Sequence, residues 1–174
     1  MTMNTYQETM RKLYDPENHE VLIASHRGKF SSSVMENTSL AFLTAIGEGA
    51  DMVEMDLEET KDGRIVGHHD DHMKRLFHND GRISDYTLEE LKAMPDYNYV
   101  GEICVEGIET FEEILDSLKD KTILVLDKCW DCWDKVYALL KEKNMVDQTI
   151  FKFYLKDEEP MVWAKAHKDC IFIP

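Results

Sequence analysis

The chain reads as an α/β protein with a parallel sheet, built on the plan of a TIM-type (β/α)8 barrel. Three observations predict this. Short apolar runs alternate along the chain with stretches whose apolar residues recur at helical spacing. The run at 122–127 (TILVLD) is apolar almost throughout, as expected of a strand covered on both faces. Clusters of His, Arg, Asp, Glu and Lys stand where such runs end, and that edge is where parallel folds build their sites.

Taken in order, residues 21–25 (VLIAS) form a first strand that ends at His26-Arg27-Gly28. Leu40, Ala41, Leu43, Ala45 and Ile46 predict a helix over 38–48, capped by Asn37 or Thr38 and ended by a left-handed Gly49. Two strand-like runs, 52–57 and 64–68, are split by the turn Lys61-Asp62-Gly63. Thr87 and Glu90 form a capping box for a short helix over 87–94. A helix at 109–119, the strand 122–127, a helix at 131–143, a strand at 149–154, a helix at 158–168 and a last apolar segment at 170–173 complete the series.

That makes about six strand–helix units in one domain over residues 1–174, where a closed eight-unit barrel takes about 250 residues. The expected architecture is a barrel that lacks its last two units and is truncated at its C-terminus. An open six-stranded sheet satisfies the same pattern. With 4 prolines and no Gly/Ser linker, nothing marks a domain boundary.

A formal net charge of −15 disfavours nucleic acid and anionic lipid as partners. A phosphate-bearing substrate must then be drawn in by a metal ion or a few placed cations. No run approaches the ~18 apolar residues of a membrane span, and the opening residues do not read as a secretory signal. The 4 cysteines form no dense framework. A cytoplasmic location is the expectation. Cys129 and Cys132 make a C-x-x-C with no second pair at zinc-finger spacing, which leaves a zinc or redox role as a minor reading.

Four clusters carry chemistry. His26-Arg27-Gly28 combines a proton-transfer group, a planar fork for phosphate oxygens and a residue that permits a close backbone turn. Glu54 and Asp56 lie two apart on a strand and so share a face. Two carboxylates held together ask for a cation between them, and oxygen donors suit Ca²⁺ or Mg²⁺. His68 and His69, within Gly67-His68-His69-Asp70-Asp71-His72, fall on opposite faces, so only one of them can look into a site. Asp127-Lys128 closes a buried strand with an adjacent acid and base, which reads as chemistry or as a structural ion pair.

In order, IASHRG, MENTSLAFLTAIGEGADMVEMDLEETKDGRIVGHHDD, ISDYTLEELKAM, IETFEEIL and ILVLDKCWD resemble the glycerophosphodiester phosphodiesterase family over about residues 21–133. The family succession is H-R-G, E-N-T, E-x-D, K-D-G, H-D-D and S-D-x-T-x-E-E-L, followed by a late acid and lysine. The resemblance implies a (β/α)8 barrel that hydrolyses glycerophosphodiesters to glycerol 3-phosphate and an alcohol. It implies His26 and His69 as the acid/base pair, and Glu54 and Asp56 as ligands of a divalent cation, Ca²⁺ or Mg²⁺. It implies Arg27 and Lys128 as the phosphate-binding cations. His68 stands where the family has an apolar residue, and alternation turns it into the packing between strand and helix. The family's late motif is E-x-K, whereas this chain has Leu126-Asp127-Lys128, which makes Asp127 the candidate third metal ligand. The roles of the two histidines are expected as His26 base and His69 acid, and the residues alone do not order them. A binding or assembly module that pairs through the open barrel edge, and an enzyme acting on lysophospholipids, are the competing readings.

Overall fold

The computed structural model describes residues 5–31, 33–98, 100–156 and 158–173. The helices are α1 (Tyr6–Tyr14), α2 (Ser39–Gly47), α3 (Lys74–Phe77), α4 (Leu88–Lys92), α5 (Phe111–Leu118), α6 (Trp133–Lys143) and α7 (Glu158–Ala166). The strands are β1 (Ala24–His26), β2 (Met52–Glu59), β3 (Ile65–Gly67), β4 (Ile123–Asp127), β5 (Thr149–Lys152) and β6 (Ile171–Ile173). Strand order is β1-β2-β4-β5-β6, every pair parallel, with β3 pairing antiparallel to β2 off that path.

Each apolar run read from the sequence contains a strand, but the first begins only at Ala24, with Val21 and Ile23 exposed ahead of it, and the run at 64–68 is not a barrel strand. Gly63 takes φ +81°, and Thr60 exchanges backbone hydrogen bonds with Gly63 and Arg64. The Lys61-Asp62-Gly63 turn therefore closes a hairpin, which reverses the chain. The parallel set consequently runs β1, β2, β4, β5, β6, one unit fewer than the strand count suggested. Among the described residues no ladder joins β1 to β6, so both ends of the strand order are open.

Parallel register sets the two faces of the sheet. His26 pairs with Glu54, Glu54 with Val125, Val125 with Ile150, and Asp56 with Asp127. Residues paired this way share a face, so these side chains project together to the inner side. The intervening residues Val53, Met55, Leu57, Leu124, Leu126 and Phe151 are fully buried on the other side. There they pack against Phe42 of α2, Phe111, Ile114 and Leu115 of α5, and Trp133, Val136 and Leu140 of α6. Burying each such side chain contributes roughly 1.5–3 kcal/mol, so this layer holds the strands in register.

The inner face is graded along the strands. At its N-terminal end Met52, Ile123, Val125 and Ile150 are covered by Tyr6 and Met10 of α1, whose Tyr6 hydroxyl donates to Asp147 at 3.0 Å. Polar side chains begin only at the C-terminal end. A second cluster of Met35, Val66, Met73, Leu76, Phe77, Leu91 and Ile108 seats α3, α4 and the loops beside that end.

Helix starts follow the sequence. The Thr38 hydroxyl accepts from the Ala41 N–H, and Thr87 with Glu90 and Thr110 with Glu113 form reciprocal capping boxes. Gly49 has φ +104° just past α2, as expected.

Candidate active site at the C-terminal strand edge

The site is assembled from the residues that end β1, β2 and β4 and from the loops after β1 and β3. Gly28 explains why the first cluster has a glycine: at φ +76°, a Cβ there would lie 2.7 Å from the Ala41 carbonyl carbon. Close contact with the start of α2 swings Arg27 back over the sheet at φ +56°. The Arg27 N–H then donates to the Glu54 carboxylate at 3.0 Å.

Glu54 and Asp56 do share the inner face, and both are buried. Burial raises the Glu54 pKa, and the charge of Asp127 adds to it. Asp56 is pushed up to about 6, first by burial and then by Glu54. Its Oδ2 lies 3.2 Å from Arg27 Nε and 3.4 Å from Asn37 Nδ2, and its backbone N–H donates to Asn37 Oδ1 at 3.1 Å. Asn37, of the E-N-T motif, holds φ +57° to do so. Glu58 continues the same face, and burial brings its pKa up to about 7.

His26 ends β1 with its side chain 66% exposed and its Nε2 4.0 Å from Glu54 Oε2. Desolvation and then the neighbouring Arg27 lower its pKa. His69 sits after β3, half-buried, with Nδ1 2.7 Å from Asp70 Oδ1. Its neighbour His68 turns the other way, as alternation predicts. It is 1% exposed, its ring centroid is 5.9 Å from that of Phe77, and burial drives its pKa down to about 4.

Asp127 and Lys128 close β4. Lys128 Nζ donates to the His69 carbonyl at 2.8 Å, so the ends of β3 and β4 are tied together. Asp127 Oδ1 accepts from the Lys128 N–H at 2.9 Å, while its Oδ2 takes Lys152 Nζ at 2.5 Å. Lys152 was not singled out from sequence, although it ends β5 as the other clusters end their strands.

The three acids thus line adjacent strands, but they do not stand as a finished three-ligand set. Among the described residues no three His, Cys, Asp or Glu side chains are in position together to hold a metal ion. The reason is local pairing. Asp127 is turned onto Lys152, and Asp56 onto Arg27 and Asn37. Glu36, the acid of the E-N-T motif, and Arg75 carry no role in the sequence reading. Buried Glu36 accepts from Arg27 at 3.1 Å and from the two terminal nitrogens of Arg75 at 2.7 and 2.8 Å. Their sequence separation of 39 leaves no periodic signal.

Cys129 and Cys132 are free, buried thiols in the core, and burial raises both pKa values. The Trp133 indole N–H donates to Cys129 Sγ at 3.1 Å. No helix among the described residues is long and apolar enough to cross a membrane.

A parallel strand–helix sheet with its polar side chains gathered at the C-terminal edge is the design of TIM-type barrels. The solved structures similar to this chain have that fold. A glycerophosphoryl diester phosphodiesterase from Parabacteroides distasonis superposes with a TM-score of 0.83 at 25% identity, over 98% of this chain and 59% of that one. A glycerophosphodiester phosphodiesterase from Thermotoga maritima does so with a TM-score of 0.69 at 30% identity, over 88% and 62%. The model of the glycerophosphoryl diester phosphodiesterase family matches residues 26–159, and the chain belongs to that family. A glycerophosphodiester phosphodiesterase of Caldanaerobacter subterraneus subsp. tengcongensis is 39% identical over 107 residues, which cover 61% of this chain and 44% of that protein. One from Bacillus altitudinis is 31% identical over 136 residues, covering 78% and 54%. The chain therefore spans about half the length of these relatives.

Proposed function

We propose that this chain carries the catalytic edge of a metal-dependent phosphodiesterase that hydrolyses glycerophosphodiesters to glycerol 3-phosphate and an alcohol. The observation that supports this best is the juxtaposition at one strand edge: His26 beside Glu54, Asp56 beside Asp127, and Lys128 bonded to the main chain of His69. Acids, imidazoles and cations converge there from four segments of the chain.

The donor chemistry of the acids fits a hard divalent cation. Burial raises the pKa of both Glu54 and Asp56, with the neighbouring carboxylates adding to it. A cation at that edge would offset this cost and favour the ionised pair. Glu54, Asp56 and Asp127 would hold it, and carboxylate oxygens suit Ca²⁺ and Mg²⁺ alike. When bound, it supplies Lewis-acid polarisation of the phosphoryl oxygens and of a coordinated hydroxyl.

The protein's own groups do the rest. His26, whose pKa burial and then Arg27 lower, is the base that takes a proton from the attacking hydroxyl, the substrate's own glycerol oxygen. His69 gives a proton to the departing alkoxide, so the alcohol leaves neutral and a cyclic phosphate remains. Water then opens that ring with the two proton transfers reversed. Arg27 and Lys128 face the charge that builds on the phosphoryl oxygens. Lys152 offsets the charge of Asp127.

The test is hydrolysis of glycerophosphocholine and glycerophosphoethanolamine with Ca²⁺, Mg²⁺ or EDTA, following glycerol 3-phosphate. Release that requires the cation is expected. Release that is unaffected by EDTA contradicts the reading.

A further inference from the structure

Beyond the groups that face the phosphate, an unbroken ladder of charged side chains runs from one histidine to the other end of the site. His69 Nδ1 is 2.7 Å from Asp70 Oδ1. Asp70 Oδ2 accepts from Arg75 Nε at 2.7 Å. The two terminal nitrogens of Arg75 donate to the two oxygens of Glu36 at 2.8 and 2.7 Å. Glu36 Oε1 also accepts from Arg27 at 3.1 Å, and Arg27 Nε stands 3.2 Å from Asp56. Charges alternate at each rung. Arg75 comes from α3, whose Leu76 and Phe77 are anchored in the small apolar cluster beside the sheet.

We propose that Asp70 and Arg75 are positioning residues, which fix the ring of His69 for proton transfer and lock it to the phosphate-facing Arg27. This rests on the functional reading above. Arg75 uses all three of its guanidinium nitrogens, one on Asp70 and two on Glu36. Paired in this way, Asp70 is held well below the usual carboxylate range, by the hydrogen bonds from Arg75 and His69 against the cost of burial. An ionised Asp70 can only accept, so Nδ1 of His69 must carry its hydrogen. The proton that moves to or from substrate is thereby assigned to Nε2. The main chain of His69 is held independently, through the carbonyl that accepts from Lys128. Glu36 is 3% exposed and sits between two arginines, so moving Arg75 would also release one restraint on Arg27. Lysine cannot replace that fork, because one ammonium cannot reach both carboxylates with parallel bonds.

The experiment uses the variants Asp70→Asn and Arg75→Lys, with the fold checked by a cooperative thermal melt. It reads the His69 tautomer from imidazole nitrogen chemical shifts, at a pH where the ring is neutral, alongside steady-state kinetics. In the parent protein the Nδ1–H form is expected. In Asp70→Asn a shift toward Nε2–H is expected, with kcat lowered about 10²–10⁴-fold and KM changed less than about threefold. Arg75→Lys is expected to lose about 10–100-fold in kcat. An unchanged tautomer in Asp70→Asn, or an unchanged kcat in both variants, overturns the proposal. If the parent protein hydrolyses nothing, the functional reading fails, while the tautomer measurement still decides whether the ladder orients His69.

Discussion

Lys152 Nζ lies 2.5 Å from Asp127 Oδ2, so the acid that closes β4 is already paired to the lysine that closes β5. The same carboxylate is the third donor expected for a cation. Two positive charges then compete for it, and removing one should favour the other. Lys152→Met is expected to tighten Ca²⁺ or Mg²⁺ binding by about 3–30-fold in calorimetric titration, the scale of one nearby unit charge at intermediate dielectric. Unchanged affinity would mean that Asp127 takes no part in holding the cation.

Asp56 makes the pH dependence of the cation-free protein testable. Its folded pKa of about 6 lies above the unfolded value of ~3.9. An acid raised in this way costs stability when it ionises. The loss therefore grows as pH rises between about 4 and 6 and is complete above that window. Asp56→Asn is expected to be more stable than the parent by roughly 2 kcal/mol at pH 7.5 without divalent cation, and nearly equal to it at pH 4. Adding Ca²⁺ or Mg²⁺ should raise the melting temperature of the parent and leave that of the variant almost unmoved. Denaturant titration at the two pH values checks the first statement, and calorimetry checks the second.

Asp96 provides the contrast away from the site. It is 6% exposed, its Oδ1 has no hydrogen-bond partner, and burial brings its pKa up to about 7. The sign is the same as for Asp56, but the window extends from about 4 to 7. Asp96→Asn is expected to stabilise the protein by about 1–2 kcal/mol at pH 8, after allowance for solvent screening. A divalent cation should act equally on variant and parent.

Gly28 tests the way the first cluster is built. Its φ of +76° and the 2.7 Å approach of a would-be Cβ to the α2 backbone leave alanine no room. Gly28→Ala is expected to lower stability by about 1–3 kcal/mol and to displace Arg27 from Glu54 and Asp56. Loss of activity beyond the loss of folded fraction is the readout.

What sequence could foresee follows from the range of the forces involved. Strand alternation has a period of two, so the shared face of Glu54 and Asp56 and the opposite faces of His68 and His69 were both legible. Thr87 with Glu90 is a local motif, and it caps α4 as read. The same alternation would have found Lys152, which ends β5 on the inner face. The β3 hairpin was signalled by Lys61-Asp62-Gly63, yet a run of apolar residues does not state its own direction. Helix α1 went unread because only Tyr6 and Thr9 of it are buried and its role is to cover one end of the inner face. Helix α3 has 4 residues, too few to show a period. The Glu36–Arg75 contact is fixed by tertiary packing alone. Likewise, the pairing of Asp127 with Lys152 rather than with its fellow acids depends on which side chains meet across β4 and β5.

The most direct measurement of the central claim is hydrolysis of glycerophosphocholine by His26→Ala and by His69→Ala, with cation affinity measured on the same samples. Each variant is expected to bind Ca²⁺ or Mg²⁺ like the parent and to lose about 10²–10⁴-fold in kcat. Near-parental turnover in either variant, with the cation bound, would contradict the assignment of proton transfer to these two imidazoles.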